Sequence, residues 1–153
     1  MPKLYLIQHG EAKKKEEDPQ RPLTEKGRKD TLKIAEFLAK INIEVDKIIH
    51  SGKLRAKQTA EIIAEKLGVN NIEEDSSLAP LAPPEEWAKK LETINENIML
   101  VGHLPHLSLL ASLLLTGNKE VQPVKFTYSG VVCLEKIEGQ WKLVWMITPQ
   151  IIA

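Results

Sequence analysis

At 153 residues, with 42% hydrophobic and 27% charged side chains, the chain has the make-up of one globular domain with a sizeable core. Lys plus Arg equals Asp plus Glu at 21 each, and the missing basic excess excludes a general nucleic-acid binder while leaving room for a focused anion site. The single cysteine, Cys133, excludes an internal disulfide and a cysteine-rich zinc site; within Val131-Val132-Cys133-Leu134 it reads as core filler.

Residues 3–8 read as a buried strand. Residues 11–22 are charged, carry Pro19 and Pro22, and read as an exposed loop. Thr24 suits an N-cap for a helix in which Leu32, Ile34, Ala35, Leu38 and Ile41 keep helical spacing. Val45 to His50 reads as a short strand, Leu54 to Leu67 as an amphipathic helix closed by Gly68, and Asn70 to Glu74 as another short strand. Residues 76–84 hold three prolines and read as a loop, followed by a helix over about 84–94 with Pro84 in its first turn. Ile98 to Val101 reads as a buried strand, and His106 to Leu115 as an apolar helix stopped by Thr116-Gly117-Asn118. Residues 124–128, 129–137 and 141–148 read as strands, the last two joined as a hairpin across Glu138-Gly139-Gln140.

Strands alternating with helices predict a three-layer α/β sandwich in a single domain over residues 1–153. Its central sheet is mostly parallel, with helices on both faces and an antiparallel C-terminal edge. The longest apolar stretch, Leu107 to Leu115, holds two serines and is too short to span a bilayer. The N-terminus becomes a strand within three residues, leaving no visible signal peptide. A cytoplasmic location without a membrane partner is expected.

Three strand ends carry the chemistry. The first is Gln8-His9-Gly10, the second His50-Ser51-Gly52 leading into Leu54-Arg55, and the third Gly102-His103 before Leu104-Pro105-His106. In a parallel sheet these carboxyl ends share one edge, where α/β proteins handle ligands. Taken alone, His9 could be a base, a metal ligand or a nucleophile. Beside His103 and Arg55, and next to a helix N-terminus, it joins an anion site suited to a phosphoryl group. One imidazole can attack phosphorus while the other donates to its oxygens. The protein supplies the positive charge, so neither a metal nor another cofactor is expected. His106 could complete a three-histidine zinc site, but no acidic ligand sits at a matching strand end; it reads instead as a helix-start residue near the pocket rim. Trp87, Trp141 and Trp145 read as packing residues.

These motifs resemble those of the histidine phosphatase superfamily, the phosphoglycerate mutase-like family. Gln8-His9-Gly10-Glu11-Ala12 is similar to its Arg-His-Gly signature, and Arg21-Pro22-Leu23-Thr24-Glu25-Lys26-Gly27 to its Leu-Thr-x-x-Gly segment. Ser51 to Glu61 resembles Ser-x-x-x-Arg-Ala-x-Gln-Thr-Ala, and Val101-Gly102-His103 the second histidine motif. The short length and the loop around Arg21 look most like the SixA branch of small phosphohistidine phosphatases. The resemblance implies a nucleophile at His9 and phosphoryl binding by Arg55, His103 and Arg21. It also implies a phosphorylated protein as substrate, such as a phosphohistidine-bearing signalling domain. A small phosphate ester is the alternative substrate.

The chain departs from the family at Gln8, where the signature has arginine. A hydrogen bond involving a charged group contributes about 1.5–3 kcal/mol, against about 0.5–1.5 for a neutral one. Gln8 retains phosphate-binding capacity through its neutral amide, at an expected cost of roughly one or two decades in rate. A weakly active or inactive phosphoryl-binding protein is therefore the alternative from another functional class. Larger family members carry an acid for the leaving group. No such motif is legible here, and Glu11 is a weak candidate.

Overall fold

The structure, a computed structural model, describes residues 2–152. Its strands are β1 (Lys3–Gln8), β2 (Lys47–His50), β3 (Ile72–Glu74), β4 (Ile98–Gly102), β5 (Val131–Ile137) and β6 (Gln140–Ile147). They form one sheet in the order β3-β2-β4-β1-β5-β6. β3, β2, β4 and β1 run parallel, while β5 pairs antiparallel with β1 and β6 with β5.

β1 sends Leu4 and Leu6 into one core and Tyr5 and Ile7 into the other. A strand covered on both faces reads as a continuous apolar run, as this one does. α1 (Glu25–Lys40) and α2 (Leu54–Leu67) cover the Tyr5 face through Ile34, Leu38, Ala60 and Ile63. α3 (Pro84–Lys90) and α4 (His106–Thr116) cover the Leu4 face through Trp87, Leu107 and Leu110. Thr24 caps α1, its Oγ1 accepting the Gly27 N–H at 3.0 Å, a contact typically worth about 1 kcal/mol. Gly68 ends α2 in the left-handed conformation at φ 70°. Among the described residues, no helix is long and apolar enough to cross a membrane.

The architecture matches the sequence expectation, with local corrections. Residues 124–128 form no strand. Their alternation is real, since Val124 and Phe126 are buried and Lys125 is exposed. However, β4 and β5 already occupy both edges of β1, so the segment packs as an extended loop without joining a ladder. The helix expected over 84–94 stops at Lys90 and tightens into a 3₁₀ turn over Leu91–Thr93. β2 and β3 each begin two residues later than expected.

Register determines what lies at the sheet's edge. Gln8 pairs with Gly102, and His50 with Val101, so β1, β2 and β4 end nearly level. The segment after β1 is held against α1 by a close backbone approach. A Cβ on Gly27 would lie only 2.1 Å from the Glu11 carbonyl oxygen. Overpacking of this kind costs about 1–3 kcal/mol, more than the ~1 kcal/mol that alanine gains in a helix. Gly27→Ala is therefore expected to lower the urea midpoint by displacing the Glu11 backbone. An unchanged midpoint would refute the close approach.

Candidate active site

The position of His9 is built from the backbone outward. The His9 N–H donates to Gly102 O at 3.0 Å, fixing the residue just beyond the β1–β4 ladder. Its ring Nδ1 lies 2.7 Å from Gly10 O. A carbonyl only accepts, so Nδ1 carries the proton and Nε2 is left with its lone pair. Gly10 sits where a Cβ would lie 2.7 Å from Thr31 Oγ1, so the turn admits only glycine without rearrangement.

The Arg-Ala-x-Gln-Thr run of α2 now has a physical reading, residue by residue. Arg55, in the first turn, is half-buried, and its Nε has no partner. Ala56 is fully buried in the core beneath α2. Gln58 Oε1 accepts the Leu23 N–H at 2.8 Å, tying the Arg21 loop to the helix. Thr59 Oγ1 accepts the Gly10 N–H at 2.9 Å and donates to Arg55 O at 2.8 Å. One hydroxyl thereby links the turn after His9 to the helix turn bearing Arg55.

His103 stands beside His9, with ring centroids 5.0 Å apart. Its Nε2 lies 2.6 Å from Ser51 Oγ, which also accepts the Lys53 N–H at 3.3 Å. The protein offers His103 Nδ1 no partner, and in the tautomer in which Ser51 donates to Nε2 this nitrogen is an N–H donor. Arg21 has φ 51° and donates from Nε to Lys13 O at 3.0 Å. Its charge reaches both His9 and Arg55. His9, His103, Arg55 and Arg21 thus lie close enough to influence one another, and Gln8 precedes His9 at the end of β1, opposite Gly102.

Burial dominates the electrostatics. His9 is pushed down to about 4, chiefly by desolvation, against the raising effect of its Gly10 bond and with further lowering by Arg55 and Arg21. His103 is pushed down to about 3 by burial and then by the neighbouring cations and histidines. Burial also lowers Arg55, with Arg21 adding to the effect. Both imidazoles are therefore neutral at pH 7, and His9 keeps its lone pair.

Other candidates lie elsewhere. His106 begins α4 but is fully buried with both ring nitrogens unpartnered, not at the rim, and burial pushes it down to about 4. Among the described residues, no three or more His, Cys, Asp or Glu side chains are grouped to hold a metal, so His106 does not join His9 and His103 in such a set. His50 Nδ1 accepts the Gly52 N–H at 3.0 Å and so holds the turn after β2. Glu11 Oε2 accepts from Thr24 Oγ1 at 2.8 Å, engaging its carboxylate at the start of α1. Two site residues escaped the sequence reading. Ser51 carries no local sign of a role beyond its motif, and its place after β2, next to the strand that ends in Gly102-His103, is the usable signal. Tyr128, whose ring lies 5.6 Å from that of His9, sits in the segment misread as a strand.

The model of the histidine phosphatase superfamily (branch 1) matches residues 4–81. The chain is 34% identical over 122 residues to an uncharacterised protein of Picosynechococcus sp., covering 75% of this chain and 74% of that protein. It is 26% identical over 153 residues to the phosphohistidine phosphatase SixA of Escherichia coli, covering 95% and 93% of the two chains. The solved structure of the protein histidine phosphatase SixA complexed with tungstate shares the fold, with a TM-score of 0.86 at 24% identity over 97% of each chain.

The buried histidines make stability depend on pH. Folded-state values of about 4, 3 and 4 for His9, His103 and His106 lie below the ordinary 6.5. As pH falls through 6.5 the unfolded chain takes up protons first, so stability is lost from about pH 6.5 towards 4 and is unaffected by these groups above that window. Each contributes at most about 1.4 kcal/mol per pH unit. The urea midpoint is expected to be flat from pH 8 to 7 and to fall steeply by pH 5; equal midpoints at pH 7 and 5 would contradict the neutral burial.

Proposed function

The chain belongs to the histidine phosphatase superfamily, and from that premise we propose that it is a metal-independent phosphatase acting through a phosphohistidine formed on His9. The observation that carries this reading is the His9 Nδ1 contact with Gly10 O at 2.7 Å, which leaves Nε2 unprotonated beside His103 and Arg55. The Nε2 lone pair attacks phosphorus, and the leaving group departs from the opposite side. Arg55 and Arg21 balance the charge of the phosphoryl oxygens, and His103 Nδ1–H donates to one of them. Water then breaks the N–P bond, releasing phosphate and restoring neutral His9.

The substrate proposed is a phosphohistidine borne by a protein. The leaving group argues for it. An alkyl ester expels an alkoxide that needs a proton, and the one carboxylate close in sequence to His9, that of Glu11, is engaged by Thr24. A phosphohistidine protonated on its distal nitrogen expels neutral imidazole and needs no acid. The similarity to SixA over 95% of the chain supports the same choice. Small phosphomonoesters, and a binding protein with little turnover, are the competing readings.

Acid quenching during turnover of a phosphohistidine protein is expected to trap label on His9, and His9→Ala to abolish both label and phosphate release. Retained release in His9→Ala would refute the nucleophile assignment. Restoring the family's charge by Gln8→Arg is expected to raise kcat/KM for p-nitrophenyl phosphate by about ten- to a hundredfold. No gain would show that the charge lost at this position does not limit the reaction.

A further inference from the structure

Gln8 differs from arginine in more than charge. Arginine offers five N–H donors and no acceptor, whereas glutamine brings a carbonyl. Gln8 is only 7% exposed, and its Oε1 is buried without a hydrogen-bond partner. Buried carbonyls are paired in nearly all native structures, so an orphan at a site calls for a reason. The side chain also borders a hollow of about 290 Å³ whose walls include Leu104, Phe126 and Tyr128. Tyr128 is the ring that lies 5.6 Å from His9, so the hollow shares this one wall with the surroundings of the attacking imidazole, which does not itself line it. Beside the polar Glu11, Lys26 and Asp30, the hollow's apolar and aromatic wall suits a flat ring, and the unpaired oxygens of Gln8 and Thr127 suit a ring that carries an N–H.

Resting on the phosphohistidine reading above, we propose that Gln8 is a specificity-determining residue that selects nitrogen-linked phosphoryl groups, its amide carbonyl accepting the distal N–H of the departing imidazole. Nothing in the protein holds Oε1, and the terminal amide torsion is soft, so the amide turns to meet the ring. In the step itself, His9 Nε2 forms the new N–P bond. The substrate's P–N bond breaks, and its electron pair stays on the departing ring nitrogen. The distal N–H stays in place, so an imidazolium becomes neutral imidazole with no proton transferred. The contact therefore recruits the protonated form, whose ring leaves without further help. An ester oxygen presents no N–H, and Gln8 gives it no such advantage.

The test compares three probes: phosphoimidazole, its N-methyl analogue, which lacks the distal N–H, and p-nitrophenyl phosphate. Each is measured with the wild-type protein and with Gln8→Met, Gln8→Arg and Gln8→Glu. The wild-type kcat/KM ratio of phosphoimidazole to its N-methyl analogue is expected to exceed that of Gln8→Met by about fivefold or more. Gln8→Arg is expected to lower the phosphoimidazole-to-ester ratio even as ester turnover rises. Gln8→Glu keeps an acceptor, so it is expected to slow every probe and preserve the wild-type preference for the N–H. Ratios that agree within about twofold across wild type, Gln8→Met and Gln8→Arg would overturn the proposal while leaving the phosphatase reading intact. Absence of acid-trapped label on His9 with every probe would overturn both.

Discussion

The parallel register of β2, β4 and β1 is the constraint on which the site depends. With Gln8 opposite Gly102 and His50 opposite Val101, three chain segments leave the sheet at the same level. Neighbouring strands lie about 4.8 Å apart, close to the 5.0 Å between the His9 and His103 rings. A one-residue slip would turn every side chain of a strand to the opposite face and exchange its two cores. The separate cores around Leu4 and Tyr5 therefore do more than stabilise the fold. They hold the histidines at contact distance by making any other register expensive.

Within that frame, three unsatisfied polar groups lie near the carboxyl ends of β1, β2 and β4. Gln8 Oε1, Arg55 Nε and His103 Nδ1 are buried without partners, and all three belong to the site. Two guanidiniums stand near two neutral imidazoles. The chain as a whole is balanced in charge, so this local excess is concealed in the total. Such an arrangement costs stability, and in the proposed reaction a phosphoryl dianion supplies acceptors for Arg55 Nε and His103 Nδ1.

Much of this was legible in the sequence. Continuous apolar runs marked the central strands, and Thr24 and Gly68 marked helix ends through their local chemistry. The convergence of His9, Arg55 and His103 followed from parallel topology alone. The unread parts depended on long-range packing. Val124 and Phe126 alternate as a strand would, but both sides of β1 are taken by β4 and β5, and the two residues pack into the core from a loop instead. The apolar helix at His106 gave no sign that its first ring would be buried. Ser51 meets His103 across 52 positions of sequence, a pairing that no local pattern announces. Gln58 and Thr59 were visible as motif letters, yet their reason emerged only with Leu23 and Gly10 in place.

The His9 contact to Gly10 O also bears on stereochemistry. Nδ1 keeps its proton and its carbonyl partner whether Nε2 is bare or phosphorylated, so the ring need not turn between the two halves of the proposed route. A fixed ring presents the phosphoryl group to solvent from the same side throughout. The first leaving group and the later water must therefore use the same approach line, one after the other. Each in-line displacement inverts phosphorus, and two in succession return it to its starting hand. A phosphoryl group made chiral with oxygen isotopes and sulfur would leave this protein with its configuration retained, whereas direct attack by water would invert it.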